Sequence, residues 1–225
     1  MELQPKLVEV KIPDRPTGAV LVLHGGASRR QNMMVSPTQL SVIRMVPIAR
    51  KIAREGRGDL AVFRLLNSRR GWDTHHTPVH DARWALEQMA NRLGKSLPTC
   101  LVGHSLGGRA AILTADRPEV RSAVALAPWV YPTDYPAHLT GQRILIVHGT
   151  KDRIASPTRA VELAQRLGAL TPTALVLIEG ARHAMLGRHA IFSSLAAEWV
   201  SATLLGRSEH AAIARIEAGE ISLRL

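Results

Sequence analysis

The residues whose types and spacing suit chemistry centre on Ser105, in the run Gly103-His104-Ser105-Leu106-Gly107. A β-rich stretch precedes this G-x-S-x-G pattern and a helix of small residues follows it. That is the context of a tight strand-to-helix turn that presents a serine hydroxyl. Glycines two residues to either side are needed because larger side chains would collide with the neighbouring strand and helix. The turn also sets Ser105 at the positive end of its helix, where developing negative charge is stabilised. A free serine hydroxyl is a weak nucleophile and needs an adjacent base that a third group orients. Downstream, Asp152 in HGTKDRIASP follows the strand-like ILIV and precedes a helix, and His183 in GARHAML also follows a strand. The order serine, acid, histidine and the position of each at the carboxyl end of a strand fit nucleophilic acyl chemistry. Asp134, after an earlier strand and among prolines, is the alternative acid.

The other candidates surround this trio. His24, His104 and His148 sit beside strand ends and are expected to pack near the site without acting as the base. His75 and His76 precede Ser105 and belong either to the pocket mouth or to a solvated loop, and His189 falls at the start of the last helix. An anion formed during acyl transfer needs backbone N–H donors about 3 Å away, each lowering the barrier by roughly 3 to 4 kcal/mol. Leu106, after the nucleophile, is the first expected donor. Gly26 in LVLHGGAS is the second, with Ala27 one residue on as its alternative. Trp72, Trp129 and Met185 are expected to line a shallow pocket, each with ordinary packing as the competing reading. Arg70 and Arg109 lie near it, and Arg109 reads as a packing or ion-pair residue.

These groups need a scaffold. Leu7–Ile12 alternates like an edge strand. AVLVL (19–23), Leu60–Leu66, Thr99–Gly103, Val120–Ala127, Ile144–Val147 and Ala174–Ile178 are short apolar runs suited to strands buried on both faces, the last of them read as the final strand. Between them lie helices. Ser36-Pro37 opens one to about Glu55, with Pro47 expected to kink or divide it; Val79–Leu93 is closed by Gly94; another follows Ser105 to about Ala115. Ser156-Pro157 opens one to about Leu167, and Ile191–Leu205 is the last well-supported one. Strands alternating with helices predict an α/β architecture, a mostly parallel central sheet with helices on both faces. Residues 1–225 read as one domain, and 206–225 as a polar, helix-prone tail.

Composition narrows the classes. The chain of 225 residues is 46% hydrophobic and 4% aromatic, so an aliphatic core is expected. No run approaches the roughly 18 to 20 apolar residues of a membrane helix, and the first residues lack the pattern of a signal peptide, so no membrane partner and a cytoplasmic location are expected. The single cysteine, Cys100, lies in an apolar stretch and reads as buried packing. The formal charge of +11 comes mostly from scattered arginines. It suggests a dispersed solvated surface with no specific nucleic-acid partner, and leaves an acidic substrate open.

Taken together, HGG, GHSLGG, HGTKD and GARHAM resemble the α/β-hydrolases over almost the whole chain, to about Leu205. RRGW, DARWAL, GHSLGGRAA and LAPWVYP are similar to small lidless actinobacterial members described as dienelactone-hydrolase-like. The resemblance implies an α/β-hydrolase fold without a lid domain; residues 128–143, where larger relatives insert one, leave no room for it. It implies a Ser105–His183–Asp152 triad acting on a small-molecule ester without cofactor or metal. Amide, thioester, acyl-transfer and C–C chemistry on the same triad, and a non-catalytic binding role, are the alternatives. Dienelactone hydrolases proper carry cysteine where this chain has Ser105, and dehalogenases and epoxide hydrolases carry aspartate.

Overall fold

The apolar runs become strands, and their burial explains why they lack alternation. In the computed structural model, which describes residues 4–26 and 35–225, β2 (Gly18–Leu23), β3 (Leu60–Leu66) and β4 (Thr99–His104) are followed by β5 (Val120–Leu126), β6 (Arg143–Gly149) and β7 (Thr173–Ile178). β2 and β4 are buried at every residue. With β1 (Lys6–Lys11) at one edge and β8 (Ser222–Arg224) at the other, they form one eight-stranded sheet in the order β1-β3-β2-β4-β5-β6-β7-β8. Only β1 runs antiparallel to its neighbour.

Successive residues on a strand point to opposite faces, so each strand feeds two apolar layers. Val20 and Val22 join a layer with Met45, Ile48 and Ile52 of α2 (Met45–Glu55), Phe192 and Trp199 of α6 (His189–Leu205) and Ile213 of α7 (Ala211–Glu217). Ala19, Leu21 and Leu23 join the other with Leu86 and Met89 of α3 (Thr77–Leu93), Ile112 of α4 (Leu106–Leu113) and Leu163 and Leu167 of α5 (Pro157–Gly168). No helix among the described residues is long and apolar enough to cross a membrane.

Three expectations need correction. The helix read from Ser36 starts at Leu40 as α1 (Leu40–Ile43), with Ser36–Gln39 forming a turn closed by Gln39 N–H on Ser36 O at 3.1 Å. It breaks at Arg44 before α2. Pro47 has no N–H for the carbonyl four residues back, Ile43, and the break falls there. Ala174–Ile178 is not the last strand, because β8 pairs parallel with β7. The polar tail is thus part of the fold: Ala212, Ile213 and Leu223 are 4%, 0% and 2% exposed.

The carboxyl edge of the sheet is shaped by its loops. Residues 127–142, between β5 and β6, contain no helix and leave this edge without an insertion. After β3, the loop is pinned by Asp81 of α3, whose carboxylate accepts the Ser68 N–H at 2.8 Å and its hydroxyl at 2.9 Å. Burial raises the Asp81 pKa against these bonds. Asp73 closes the same loop on α3 by accepting the Thr77 N–H at 2.9 Å.

Candidate active site

Ser105 occupies φ 55°, ψ −118°, between the last residue of β4 and the first of α4. A side chain at φ near +55° is strained, and the surroundings hold it there. Its N–H bonds to Leu126 O at 3.0 Å, and its carbonyl accepts the Trp129 N–H at 3.2 Å. The flanking glycines are required by close approach. A Cβ on Gly103 would lie 2.1 Å from Gly107 O, and one on Gly107 would lie 2.5 Å from Leu23 O. Both obstacles are backbone, so the turn admits no larger residue.

Around this hydroxyl the fold gathers groups from three strand ends. His183 Nε2 stands 3.0 Å from Ser105 Oγ, and His183 Nδ1 stands 2.8 Å from Asp152 Oδ2. A carboxylate only accepts, so Nδ1 carries the proton and Nε2 is left bare to receive the serine O–H. The second Asp152 oxygen accepts the N–H groups of Ile154 and Ala155 at 2.8 and 2.9 Å. Burial works against the Asp152 charge, but bonds from His148, His183, Ala155 and Ile154 outweigh it. They hold the carboxyl well below the usual carboxylate range. The loops carrying Asp152 and His183 press together at Gly149, where a Cβ would meet Ala181 O at 2.4 Å. Lys151 N–H bonds to that same carbonyl at 3.0 Å.

The three strand-end histidines divide the supporting work. The His148 ring is fully buried, with Nε2 3.2 Å from Asp152 Oδ2 and 3.2 Å from Ala155 O. It braces the carboxylate on the oxygen that also faces His183. His104 Nε2 donates to the His183 carbonyl at 2.9 Å, and burial, with the nearby His183 adding to it, pushes the His104 pKa down to about 3. His24 Nε2 accepts the Asn67 N–H at 3.1 Å, leaving Nδ1–H to donate to Gly25 O at 2.6 Å; burial also lowers its pKa. All three sit near Ser105, and none reaches its hydroxyl. Sequence reasoning missed the bracing by His148 and the tight contact at Gly149, because neither pairing is written in local pattern.

The segments carrying the expected oxyanion donors, Leu106 and Gly26, meet beside Ser105. Leu106 opens α4, where the backbone amide has no partner within the helix. The His24–Gly26 loop approaches from β2: a Cβ on Gly25 would lie 3.2 Å from Ser105 Cβ, and one on Gly26 3.4 Å from the Leu106 side chain. Gly26 also abuts the Arg70 carbonyl, which a Cβ would meet at 2.2 Å. The alternative, Ala27, lies outside the described residues.

The pocket candidates separate. Trp72 and Trp129 are half-buried and flank Arg109 of α4, with the guanidinium 4.1 Å and 5.7 Å from their ring centres. His76 is exposed, its ring 5.3 Å from Trp72. Met185, expected in the pocket, is instead 1% exposed and packs into the α2–α6 layer. At φ 60° it turns its chain inward just after His183. Asp134, the alternative acid, is committed elsewhere: its carboxylate binds Arg109 Nη2 at 2.8 Å and accepts the Tyr131 N–H at 2.7 Å.

Comparisons with known proteins agree with this architecture. A model of the alpha/beta hydrolase family matches residues 85–192, a span that includes Ser105, Asp152 and His183. No curated protein matches the chain by sequence. Among solved structures, a lid-free α/β serine hydrolase from Xanthomonas campestris aligns with TM-score 0.67 at 17% identity, covering 89% of this chain and 88% of that one. A putative α/β-hydrolase of unknown function from Agrobacterium tumefaciens gives TM-score 0.65 at 20% identity over 90% and 92%. A thermophilic esterase from Thermogutta terrifontis, bound to propionate, gives 0.60 at 18% over 87% and 88%. The chain has the α/β-hydrolase fold, with no helix inserted between β5 and β6.

Proposed function

We propose that this chain is a serine hydrolase that cleaves carboxylic esters through an acyl-enzyme. One observation carries the reading: the unbroken line from Ser105 Oγ through the His183 ring to Asp152, at 3.0 and 2.8 Å, on a strained strand-to-helix turn. Ser105 Oγ attacks the carbonyl carbon while its proton passes to His183 Nε2. Asp152 keeps the imidazole in the required tautomer and balances the imidazolium that forms. The negative oxygen of the tetrahedral intermediate is bound by the N–H groups of Leu106 and Gly26. His183 then returns the proton to the departing alkoxide oxygen. A water that loses its proton to His183 Nε2 attacks the acyl carbon, and collapse releases the acid and restores Ser105.

The absence of an insertion between β5 and β6 supports an open site suited to short or water-soluble acyl esters. The propionate-bound Thermogutta esterase on the same fold supports the same preference. The test is covalent labelling by a fluorophosphonate together with a panel of p-nitrophenyl esters, amides and thioesters. Labelling and ester turnover that both vanish in Ser105→Ala are expected. A wild type that is folded yet neither labelled nor active on any ester would overturn the reading in favour of a binding protein.

A further inference from the structure

A groove of about 340 Å³ opens directly beside His183, lined by Lys151, Arg153, Ile154, Arg182, His183 and Ala184. Three of these six residues are cations and none is an acid. All three cations are exposed. Their side chains make no ion pair or hydrogen bond among the described residues. Elsewhere on the surface, arginines do find carboxylates, as in Arg92 with Glu9 and Arg215 with Glu220. Close by, the Asp152 carboxylate is buried and its oxygens are taken by His183, His148 and two amides, so it does not pair with these cations.

A concave site lined by one sign of charge concentrates its field and gathers counter-ions. Between the cations lies Ile154, 68% exposed, with Ala184 beside it. The groove therefore offers an apolar strip edged by positive charge. Ser105 is not among its lining residues, so the groove meets the reaction only through His183. Under the proposed mechanism, His183 is the group that hands its proton to the departing alcohol, so the groove lies on the leaving-group side. We infer that the leaving alcohol of the substrate carries an anionic group, a carboxylate or phosphate on an apolar stem, held by Lys151, Arg153 and Arg182. The inference deepens the ester-hydrolase reading and rests on it.

Matched acetates of phenol, 4-hydroxybenzoate and 4-hydroxyphenyl phosphate test it, the two charged esters separating a carboxylate from a phosphate preference. The readout is the ratio of kcat/KM for each charged ester over phenyl acetate, taken in the wild type, in Lys151→Met/Arg153→Met/Arg182→Met, and in Lys6→Met/Arg121→Met/Arg166→Met. The last removes the same charge from exposed positions outside the groove. At least one charged ester should show a ratio that falls on the order of tenfold in the groove variant, holds in the control, and shrinks as salt is raised. Equal ratios in wild type and groove variant, or an equal fall in both variants, would overturn the inference. Binding of free 4-hydroxybenzoate and 4-hydroxyphenyl phosphate to the Ser105→Ala protein, followed by calorimetry, decides the groove independently of turnover. An anion bound there and lost with the three cations supports the groove even if no ester is cleaved, whereas no binding of either anion counts against it.

Discussion

Asparagine at Asp134 and asparagine at Asp152 are each a single change of oxygen to nitrogen in a buried carboxylate, yet the surroundings assign them opposite consequences. In Asp134→Asn, the side chain still accepts the Tyr131 N–H, but an amide N–H₂ now faces Arg109 and the guanidinium loses its counter-charge in a site where both side chains are under 10% exposed. Breaking one partner of such a pair costs about 3 to 5 kcal/mol. For a domain of this size, each kcal/mol moves Tm by about 2 to 4 °C, so a fall of roughly 6 to 20 °C follows. The rings of Trp72, Tyr131 and Trp129 at 4.1, 5.3 and 5.7 Å still stabilise the cation and pull the expected loss toward the lower half of that range. In Asp152→Asn, the oxygen retained for Ile154 and Ala155 turns an N–H₂ toward His183. That forces its proton onto Nε2, where it blocks transfer from Ser105. By analogy with other triads, kcat falls by about 10⁴-fold. Melting by circular dichroism, with ester turnover measured well below each Tm, checks both. If Asp134→Asn abolished turnover while folded and Asp152→Asn stayed within about tenfold of wild type, the division between folding and chemistry drawn here would be refuted.

Other perturbations probe separate parts of the same edge. The His104 pKa is depressed from 6.5 to about 3, so its contribution to stability is complete above pH 6.5 and is lost as pH falls toward 3. One such proton gives a slope of about 1.4 kcal/mol per pH unit. His104→Gln, which can still donate to the His183 carbonyl, should flatten that acid limb in Tm measured against pH; an unchanged limb would remove His104 as its source. Asp152, with its carboxyl depressed, loses stability in the same acid direction but at lower pH. Gly107→Ala drives a methyl onto Leu23 O, so the variant should either fail to fold or fold without fluorophosphonate labelling; a folded variant that labels at the wild-type rate would contradict the contact. Burial pushes the Cys100 thiol up to about 12, so Ellman's reagent at pH 8 should find no thiol in the native protein and one on unfolding.

Much of this site is legible along the chain because its parts are local events. The strand ends, the turn at Ser105 and the order of Asp152 and His183 each leave a short signature. What pattern cannot carry is pairing across distance. Arg109 and Asp134 are both readable as polar residues near the site, but nothing local says that they will neutralise each other. The same limit explains β8: Ser222–Arg224 buries only Leu223, and a three-residue strand exists because β7 offers an edge to it. Met185 failed for another reason, since the direction of a loop side chain depends on a φ of 60° that no periodicity encodes. Ser36-Pro37 and Ser156-Pro157 are the same signal with different outcomes. After Ser156 the positions Ala160, Leu163, Ala164 and Leu167 are all buried and anchor the helix, and the hydroxyl caps it through Arg159 N–H at 3.3 Å. After Ser36 the first buried helical residue is Val42, so the first turn has nothing to pack against.

The distribution of backbone strain bears on why the site can be built at all. Of the non-glycine residues at positive φ among those described, Ser105 and Ala127 directly follow β4 and β5, Met185 and His76 lie in the loops that follow β7 and β3, and Arg57 alone lies in the turn that leads into a strand. Each such residue costs on the order of 1 to 3 kcal/mol and persists only where neighbours over-determine it. Ser105 is tied to Leu126 O, Ala127 to Val147 O at 2.7 Å, Met185 to Arg182 O at 2.9 Å and His76 to Asp73 O at 3.2 Å. Two of those anchors are carbonyls of strands buried on both faces, so the rigid middle of the sheet supplies the restraint that its edge requires. The strained turns in return aim the hydroxyl of Ser105 outward and the chain after His183 inward, which is how one imidazole comes to face both an alcohol and a carboxylate. A relaxed turn at residue 105 would lay the serine against the first turn of α4, with its hydroxyl turned to the helix and away from His183.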